Sequence, residues 1–442
     1  MNSLTEWLVH LEGLHPKGQG GIELGLERVD RVKAELGQMQ RCPLIIVGGT
    51  NGKGSTCAYL ESIYAHAGYR VGCYTSPHLL AYNERVRVDR QPVDEAALCD
   101  AFERVEAARQ RAGTIALTYF EFGTLAAWEV FAASEVEVII LEVGLGGRLD
   151  AVNAYDADCA VVTGIALDHT DWLGSTREAI GYEKAGIFRA GKQSICGDPE
   201  PPQTLVDHAG AIGAPLQRVG RDFAAIPEEG MLTWTFRGRD GAITGLPKPG
   251  LVGVCQLRNA AAALAVVESL KASRPVVRAA IERGLVDVYL PGRFQVFPGR
   301  PTFVADVAHN PQAVAGLAEN LDAMGCFAKT IAVVGMLADK DIAGALASLR
   351  GKIDVWLFAG LDVPRGAAAE TLAAVHAAGT LGGRVECFAS PDEALARAAK
   401  VAGDNGRIAV FGSFYTVAAF LRTTNGTPPN SLDSTNTDVR LL

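Results

Sequence analysis

The 442-residue chain has no surplus of basic residues, and its formal net charge is −9. No broad basic surface is available to neutralise phosphates, which excludes a nucleic-acid partner held in that way. A small polyanion is not excluded, since a local cluster of cations can hold one inside an acidic protein. No C-x-x-C pair occurs among the nine cysteines, which stand singly at 42, 57, 73, 99, 159, 196, 255, 326 and 387. The odd count and the spacing indicate neither a zinc knuckle nor a disulfide framework, so buried thiols in a reducing compartment are expected. The opening MNSLTEWLVHLEGLHPKG has no basic stretch leading into an apolar core, and no signal peptide is read there. No uninterrupted apolar run reaches membrane-spanning length, so a cytoplasmic protein is expected. Internal repeats are absent as well.

What is present is ordinary for a globular protein: 48% hydrophobic and 21% charged residues. The length suggests two domains. Apolar runs that end in glycine-rich turns alternate with helical patterns, the sign of an α/β fold with a largely parallel sheet. Strands are expected at PLIIVGG (43–49), EVEVIILEVG (135–144) and DCAVVTGI (158–165), and an alanine-rich helix at 256–272. After 43–49, Cys57, Leu60, Tyr64 and Ala67 recur at the spacing of an amphipathic helix. Beyond PGRF (291–294) the rhythm restarts, with strands near 302–308, 330–335, 353–358, 384–388 and 407–412 and helices near 311–323, 341–350, 366–378 and 391–402. This pattern predicts a compact second domain of doubly wound, Rossmann-like type. Domains are therefore expected at 1–290 and 291–421. A polar, turn-rich tail at 422–442 is expected to be disordered.

The stretch GGTNGKGST (48–56) nearly matches the common phosphate loop G-x-x-x-x-G-K-[ST], but its glycines are closer and Gly54 separates Lys53 from Ser55. A phosphate loop needs a strand to aim it, glycines that let backbone N–H groups close on an anion, and a helix N-terminus behind it. All three are read here, with a helix from Ser55. A plain strand-to-helix turn would have little use for a lysine between two glycines.

GTNGKGS (49–55) resembles the loop of the folylpolyglutamate synthases and related Mur ligases. The resemblance continues in order through YTSPHL (74–79), ERVRV (84–88), LTYFEFGTLAA (117–127), LEVGLGGRLDAVN (141–153), ALDHTDWLG (166–174), EKAGIF (183–188), LPGRF (290–294), DVAHNP (306–311) and FGSFYTV (411–417). It spans residues 3 to 421 and is similar in particular to the bacterial group with both dihydrofolate synthase and folylpolyglutamate synthase activity. The implied fold is an N-terminal P-loop ATPase-type sheet followed by the Rossmann-like domain.

The resemblance also implies the site. ATP would be held by Asn51, Gly52, Lys53, Gly54, Ser55, Asn259, Arg293 and Asp306. Magnesium, as two ions, would be held through Ser76, Glu142 and His169, and a monovalent cation is compatible with the site. Lys53, His169 and Lys184 would serve catalysis, with Lys184 carbamylated to an anion. Leu24, Gly25, Leu26, Thr118, Phe120, Leu149, Asp150 and Ala151 would hold dihydropteroate or folate. Asp306, His309 and Ser413 would hold glutamate.

Read on the residues alone, each position has a plainer alternative. Glu142, near the end of an apolar strand, needs a partner to be buried, and Arg148 could pair with it. DHTD (168–171) could be an Asx-capped loop. Ser76 is a strand-end serine before proline, and Lys184 reads as a solvated helix lysine. Asn259 could be a helix N-cap, Arg293 a linker ion-pair partner, and Asp306 and His309 turn residues before Pro311. Ser413 is well placed as an N-cap, and LTYFEFG reads as an ordinary half-buried segment.

The activity implied is ATP-dependent ligation of L-glutamate to dihydropteroate and to the γ-carboxylate of reduced folates, through an acyl phosphate. Folylpolyglutamate synthesis alone, a muramyl-peptide ligase and a non-catalytic nucleotide switch remain open. The expected partners are small molecules only, and a monomer suffices.

Overall fold

A computed structural model describes residues 1, 3–16, 21–230 and 232–424. The chain divides into two compact units: residues 1–250 with 255–289, and residues 251–254 with 290 onward. Of the expected disordered tail, residues 425–442 lie outside the described residues. Its first residues belong to a helix, Phe414–Thr423.

The first unit is built on an eight-stranded sheet. Its strands are β1 (Leu44–Gly48), β2 (Val71–Tyr74), β3 (Val86–Val88), β4 (Gln91–Pro92), β5 (Val138–Glu142), β6 (Cys159–Val162), β7 (Gln193–Cys196) and β8 (Leu216–Arg218). They lie in the order β4-β3-β2-β5-β1-β6-β7-β8, parallel except for β3 and β4 at one edge. β1, β2, β5 and β6 are buried at every position, as parallel strands covered on both faces must be. The unbroken apolar runs of β1, β5 and β6 are the reason those three were readable, whereas the four-residue β2 was not read as a strand. Because β2, β5, β1 and β6 are adjacent, the segments that follow them leave from neighbouring points on one sheet edge, where open α/β sheets bind ligands.

The helix after β1, Lys53–His66, begins two residues before the expected Ser55. It is also not amphipathic in effect: every residue from Ser55 to Tyr64 is buried. The helices Gln256–Ser269 and Arg278–Val286 pack over its outer side. The contact is close enough that a Cβ on Gly284 would meet Ile63 at 2.6 Å. A three-stranded antiparallel sheet of β9 (Ala224–Pro227), β10 (Thr233–Gly238) and β11 (Gly241–Pro247) completes the unit.

The second unit holds a six-stranded sheet of β12 (Gln295–Phe297), β13 (Thr302–Ala305), β14 (Thr330–Val334), β15 (Val355–Ala359), β16 (Arg384–Phe388) and β17 (Arg407–Phe411). The order is β12-β13-β17-β14-β15-β16, with only β12 antiparallel. The α/β class and the mostly parallel sheets are as the sequence predicts. The cysteines are free, but only Cys57, Cys73, Cys159 and Cys196 are buried, and Cys326 and Cys387 are exposed. No described helix is long and apolar enough to cross a membrane.

Candidate active site

The loop after β1 is shaped by two glycines in the left-handed region, Gly49 (φ 138°) and Gly52 (φ 94°). A Cβ on Gly49 would lie 1.9 Å from Thr163 Oγ1, and one on Gly52 would lie 2.7 Å from Asn259 Oδ1. Both positions therefore require glycine for conformation and for space. The loop is tied to the segment after β6: Thr50 N donates to Gly164 O at 2.7 Å, and Thr163 Oγ1 donates to Asn51 O at 2.8 Å. Asn259 is four residues inside its helix, whose N-cap is Cys255, so it is no N-cap itself. It packs on the loop instead, with Gln256 reaching Ser55 Oγ at 3.5 Å.

Two lysines converge on one loop carbonyl. Lys53 Nζ donates to Gly49 O and Thr50 O, each at 3.2 Å, and Lys184 Nζ donates to Gly49 O at 2.9 Å. Lys184 is not the solvated residue its helix suggested; only 4% of it is exposed. Burial, with Lys53 nearby, lowers its ammonium to about 7, although Asp168 and Asp150 pull the other way. A neutral amine is thus accessible near neutral pH.

Glu142 closes β5 and is buried, and its Oε2 accepts Ser76 N at 3.1 Å. Arg148 does not pair with it, but donates to Glu183 at 2.8 Å. His169 has a left-handed backbone (φ 52°) at the head of the short helix Thr170–Leu173, and its N–H donates to Asp168 Oδ1 at 2.9 Å. This bond reaches only the next residue, whereas an Asx turn closes two residues on. Among the described residues no group of three or more His, Cys, Asp or Glu could hold a metal unaided. A hydroxyl and a buried carboxylate beside a phosphate loop still fit a hard divalent ion, which takes oxygen ligands and keeps places for substrate phosphates and water.

The residues expected on the folate side also lie together. Gly25 N donates to Leu149 O at 3.2 Å, joining segment 24–26 to 149–151. Asp150 accepts Leu145 N (2.7 Å) and Val152 N (3.0 Å), yet burial still raises its carboxyl to about 7. Thr118 caps the helix Tyr119–Ala133 in a box with Glu121, so LTYFEFG is a helix start with a buried face. Glu121 accepts Arg28 at 2.8 Å, which fixes the 23–28 segment against it. The Phe120 ring lies over Gly144, where a Cβ would meet it at 2.7 Å.

In the second unit, Asp306 follows β13, and its carboxylate accepts Phe294 N (3.0 Å) and Ala308 N (2.8 Å). Burial raises its carboxyl, against the pull of Arg293 and of those two amides. The Arg293 guanidinium lies 5.3 Å from the Phe414 ring centre. His309 Nδ1 lies 2.8 Å from Val307 O. Ser413, after β17, accepts Thr416 N at 3.1 Å as an N-cap. β13 and β17 are neighbours, so these four residues share one region of that sheet edge. Thr163 and Gln256 were missed in the sequence. Their signals were a hydroxyl closing a buried strand and a polar residue one turn before Asn259.

A glycine-rich loop with two lysines on its Gly49 carbonyl, a buried carboxylate closing the adjacent strand, and a second doubly wound unit further along the chain fit a nucleotide-dependent ligase of the Mur type. The Mur ligase middle-domain model matches residues 47–198, and the Mur ligase glutamate ligase domain model matches 292–414. The dihydrofolate synthase/folylpolyglutamate synthase of Escherichia coli K12 is 47% identical over 94% of this chain and 94% of its own length. The solved structure of Escherichia coli FolC with DHPP and ADP has a TM-score of 0.89 at 46% identity, covering 96% of this chain and 98% of that one. A bifunctional folylpolyglutamate synthase/dihydrofolate synthase structure with Mn, AMPPNP and L-glutamate bound gives 0.87 at 44% identity, covering 96% and 98%. The chain belongs to the dihydrofolate synthase/folylpolyglutamate synthase family of Mur ligases.

Proposed function

We infer that this chain uses ATP to join L-glutamate to dihydropteroate, giving dihydrofolate, and to the γ-carboxylate of reduced folates. The observation that carries this reading is the shortened loop, in which Lys53 and Lys184 meet at Gly49 O on the edge that also bears Ser76 and Glu142. Family membership over nearly the whole chain supports the substrate class.

A carboxylate is a poor electrophile and must be activated before an amine can displace its oxygen. Its attack on the ATP γ-phosphate gives an acyl phosphate; glutamate's amine then attacks the acyl carbon and phosphate leaves. Asn51, Gly52, Gly54 and Ser55 would line the phosphates, with Asn259 and Gln256 supporting the loop from behind. Lys53 would leave its loop carbonyls to offset charge on the transferring group. Magnesium, as two ions held through Ser76, Glu142 and His169, would supply Lewis-acid stabilisation of the same charge; a monovalent cation is compatible with the site. Lys184, as the free amine, would take up CO2, forming a carbamate and releasing one proton. That change turns a neutral amine into an anion beside Lys53. Phe120 would stack on the pterin, and Asp150 with Leu24–Leu26, Thr118, Leu149 and Ala151 would read its edge. Residues 1–290 would thus serve ATP, metal and folate. Residues 291–421 would serve glutamate through Asp306, His309 and Ser413, with Arg293 on the nucleotide.

The test is a pair of incubations with glutamate and ATP, one with dihydropteroate and one with tetrahydrofolate, followed by product analysis. Dihydrofolate with matching ADP and phosphate supports the reading. Product only with tetrahydrofolate would reduce it to folylpolyglutamate synthesis, and nucleotide binding without turnover would leave a switch.

A further inference from the structure

A largely buried ionic network lies beside the Ser76 turn, and none of the roles above uses it. Arg87, on β3, donates from all three nitrogens of its guanidinium. Nε and Nη2 grip the Glu61 carboxylate at 2.8–3.1 Å. Nη1 reaches Thr75 Oγ1 and Glu84 O, each at 3.0 Å, and Nη2 also reaches Cys73 Sγ at 3.3 Å. Glu61 is on the helix that Lys53 opens and is only 4% exposed. Thr75 immediately precedes Ser76, and its N–H donates to Arg85 O at 2.9 Å. The Glu84 carboxylate gathers the amides of Leu79, Leu80 and Ala81 at 2.7–2.8 Å. One guanidinium therefore ties the nucleotide-loop helix to both ends of the turn that carries Ser76.

As a source of stability such a pair is poor, because desolvating two charges offsets most of their attraction, and apolar residues would fill the same space. Its value is geometric. A planar fork with its hydrogen bonds satisfied fixes distance and angle in a way that an ammonium cannot.

We propose that Arg87, clamped by Glu61, is a positioning residue that sets the Ser76 hydroxyl against the nucleotide loop, so that divalent ion and nucleotide bind as one unit. The inference rests on the metal role given above to Ser76. Arg87 touches neither nucleotide nor metal, and its effect passes through Thr75. A change in this network should therefore weaken the metal's contribution to nucleotide binding and spare metal-free binding.

The experiment measures ADP affinity by calorimetry, in EDTA and in Mn2+, for the full chain and for Arg87→Lys, Thr75→Val, Thr75→Ser and Ser76→Ala. The metal enhancement, the ratio of the two affinities, should fall roughly tenfold or more in Arg87→Lys and Thr75→Val, the size typical of outer-shell changes. Metal-free affinity should stay within about twofold, and Thr75→Ser, which keeps the hydroxyl, should restore the ratio. If Arg87→Lys fails to fold, Thr75→Val carries the test alone, since it leaves the Glu61 pair intact. An unchanged ratio in the folded variants, beside a lowered one in Ser76→Ala, overturns the positioning role only. Equal losses with and without metal overturn it too, in favour of a purely structural part. An unchanged ratio in Ser76→Ala removes the metal role of Ser76 itself, and the inference falls with it.

Discussion

The two sheet edges that carry the candidate residues are organised in opposite ways. At the first, two cations share one carbonyl: Lys53 and Lys184 both donate to Gly49 O, and the amine of Lys184 is lowered to about 7 by its surroundings. At the second, the polar groups bond to their own backbone. Asp306 holds Phe294 and Ala308, and Ser413 holds Thr416. The first edge carries electrostatic tension that an anion would relieve, while the second is a set of turns already closed. Substitutions at the first should therefore cost activity and spare stability, and those at the second should cost stability as well.

The largest effect is expected at Lys53. Lys53→Ala should lower kcat on the order of a thousandfold, the scale of removing one group that stabilises transition-state charge, with its thermal midpoint little changed. Steady-state kinetics beside a melting curve would check this, and a large fall in the midpoint would break the comparison.

Lys184→Met should remove activity and, in the ligand-free protein, raise stability. The sign follows from linkage. The folded-state amine is lowered to about 7 from an ordinary 10.5, so between those values the unfolded chain binds more protons and native stability rises with pH. The penalty is fully present below pH 7 and fades as pH rises through that window. The stabilisation by Lys184→Met should accordingly be larger at pH 6 than at pH 9, measured by chemical denaturation in CO2-depleted buffer. An equal effect at the two pH values would mean that Lys184 is held charged.

On the second edge, Asp306→Ala strands two amides and should cost about 1–3 kcal/mol. The smallest effect is expected from Ser413→Ala, about 1 kcal/mol for a lost N-cap, with a raised KM for glutamate. Urea titrations would measure both. Full stability in Asp306→Ala would show that the two edges do not differ as described.

Much of this was legible in the sequence, for identifiable reasons. Buried parallel strands read as unbroken apolar runs, so β1, β5 and β6 and most of the second sheet could be placed. The spacing of the loop glycines was informative because φ at Gly49 and Gly52 leaves little choice. What escaped was set by tertiary packing. Lys184 has the polar neighbours of a surface helix, and only the fold brings it under Gly49. Arg148 was the nearest basic residue to Glu142 in sequence, yet Glu183 takes it. The buried outer side of the helix Lys53–His66 depends on two helices more than 190 residues further along.

The most direct test of the central claim follows oxygen. Dihydropteroate labelled with 18O in its carboxylate is turned over with ATP and glutamate, and the inorganic phosphate is examined by mass spectrometry. Activation as an acyl phosphate predicts one labelled oxygen in phosphate for each dihydrofolate formed. Unlabelled phosphate alongside product would contradict it.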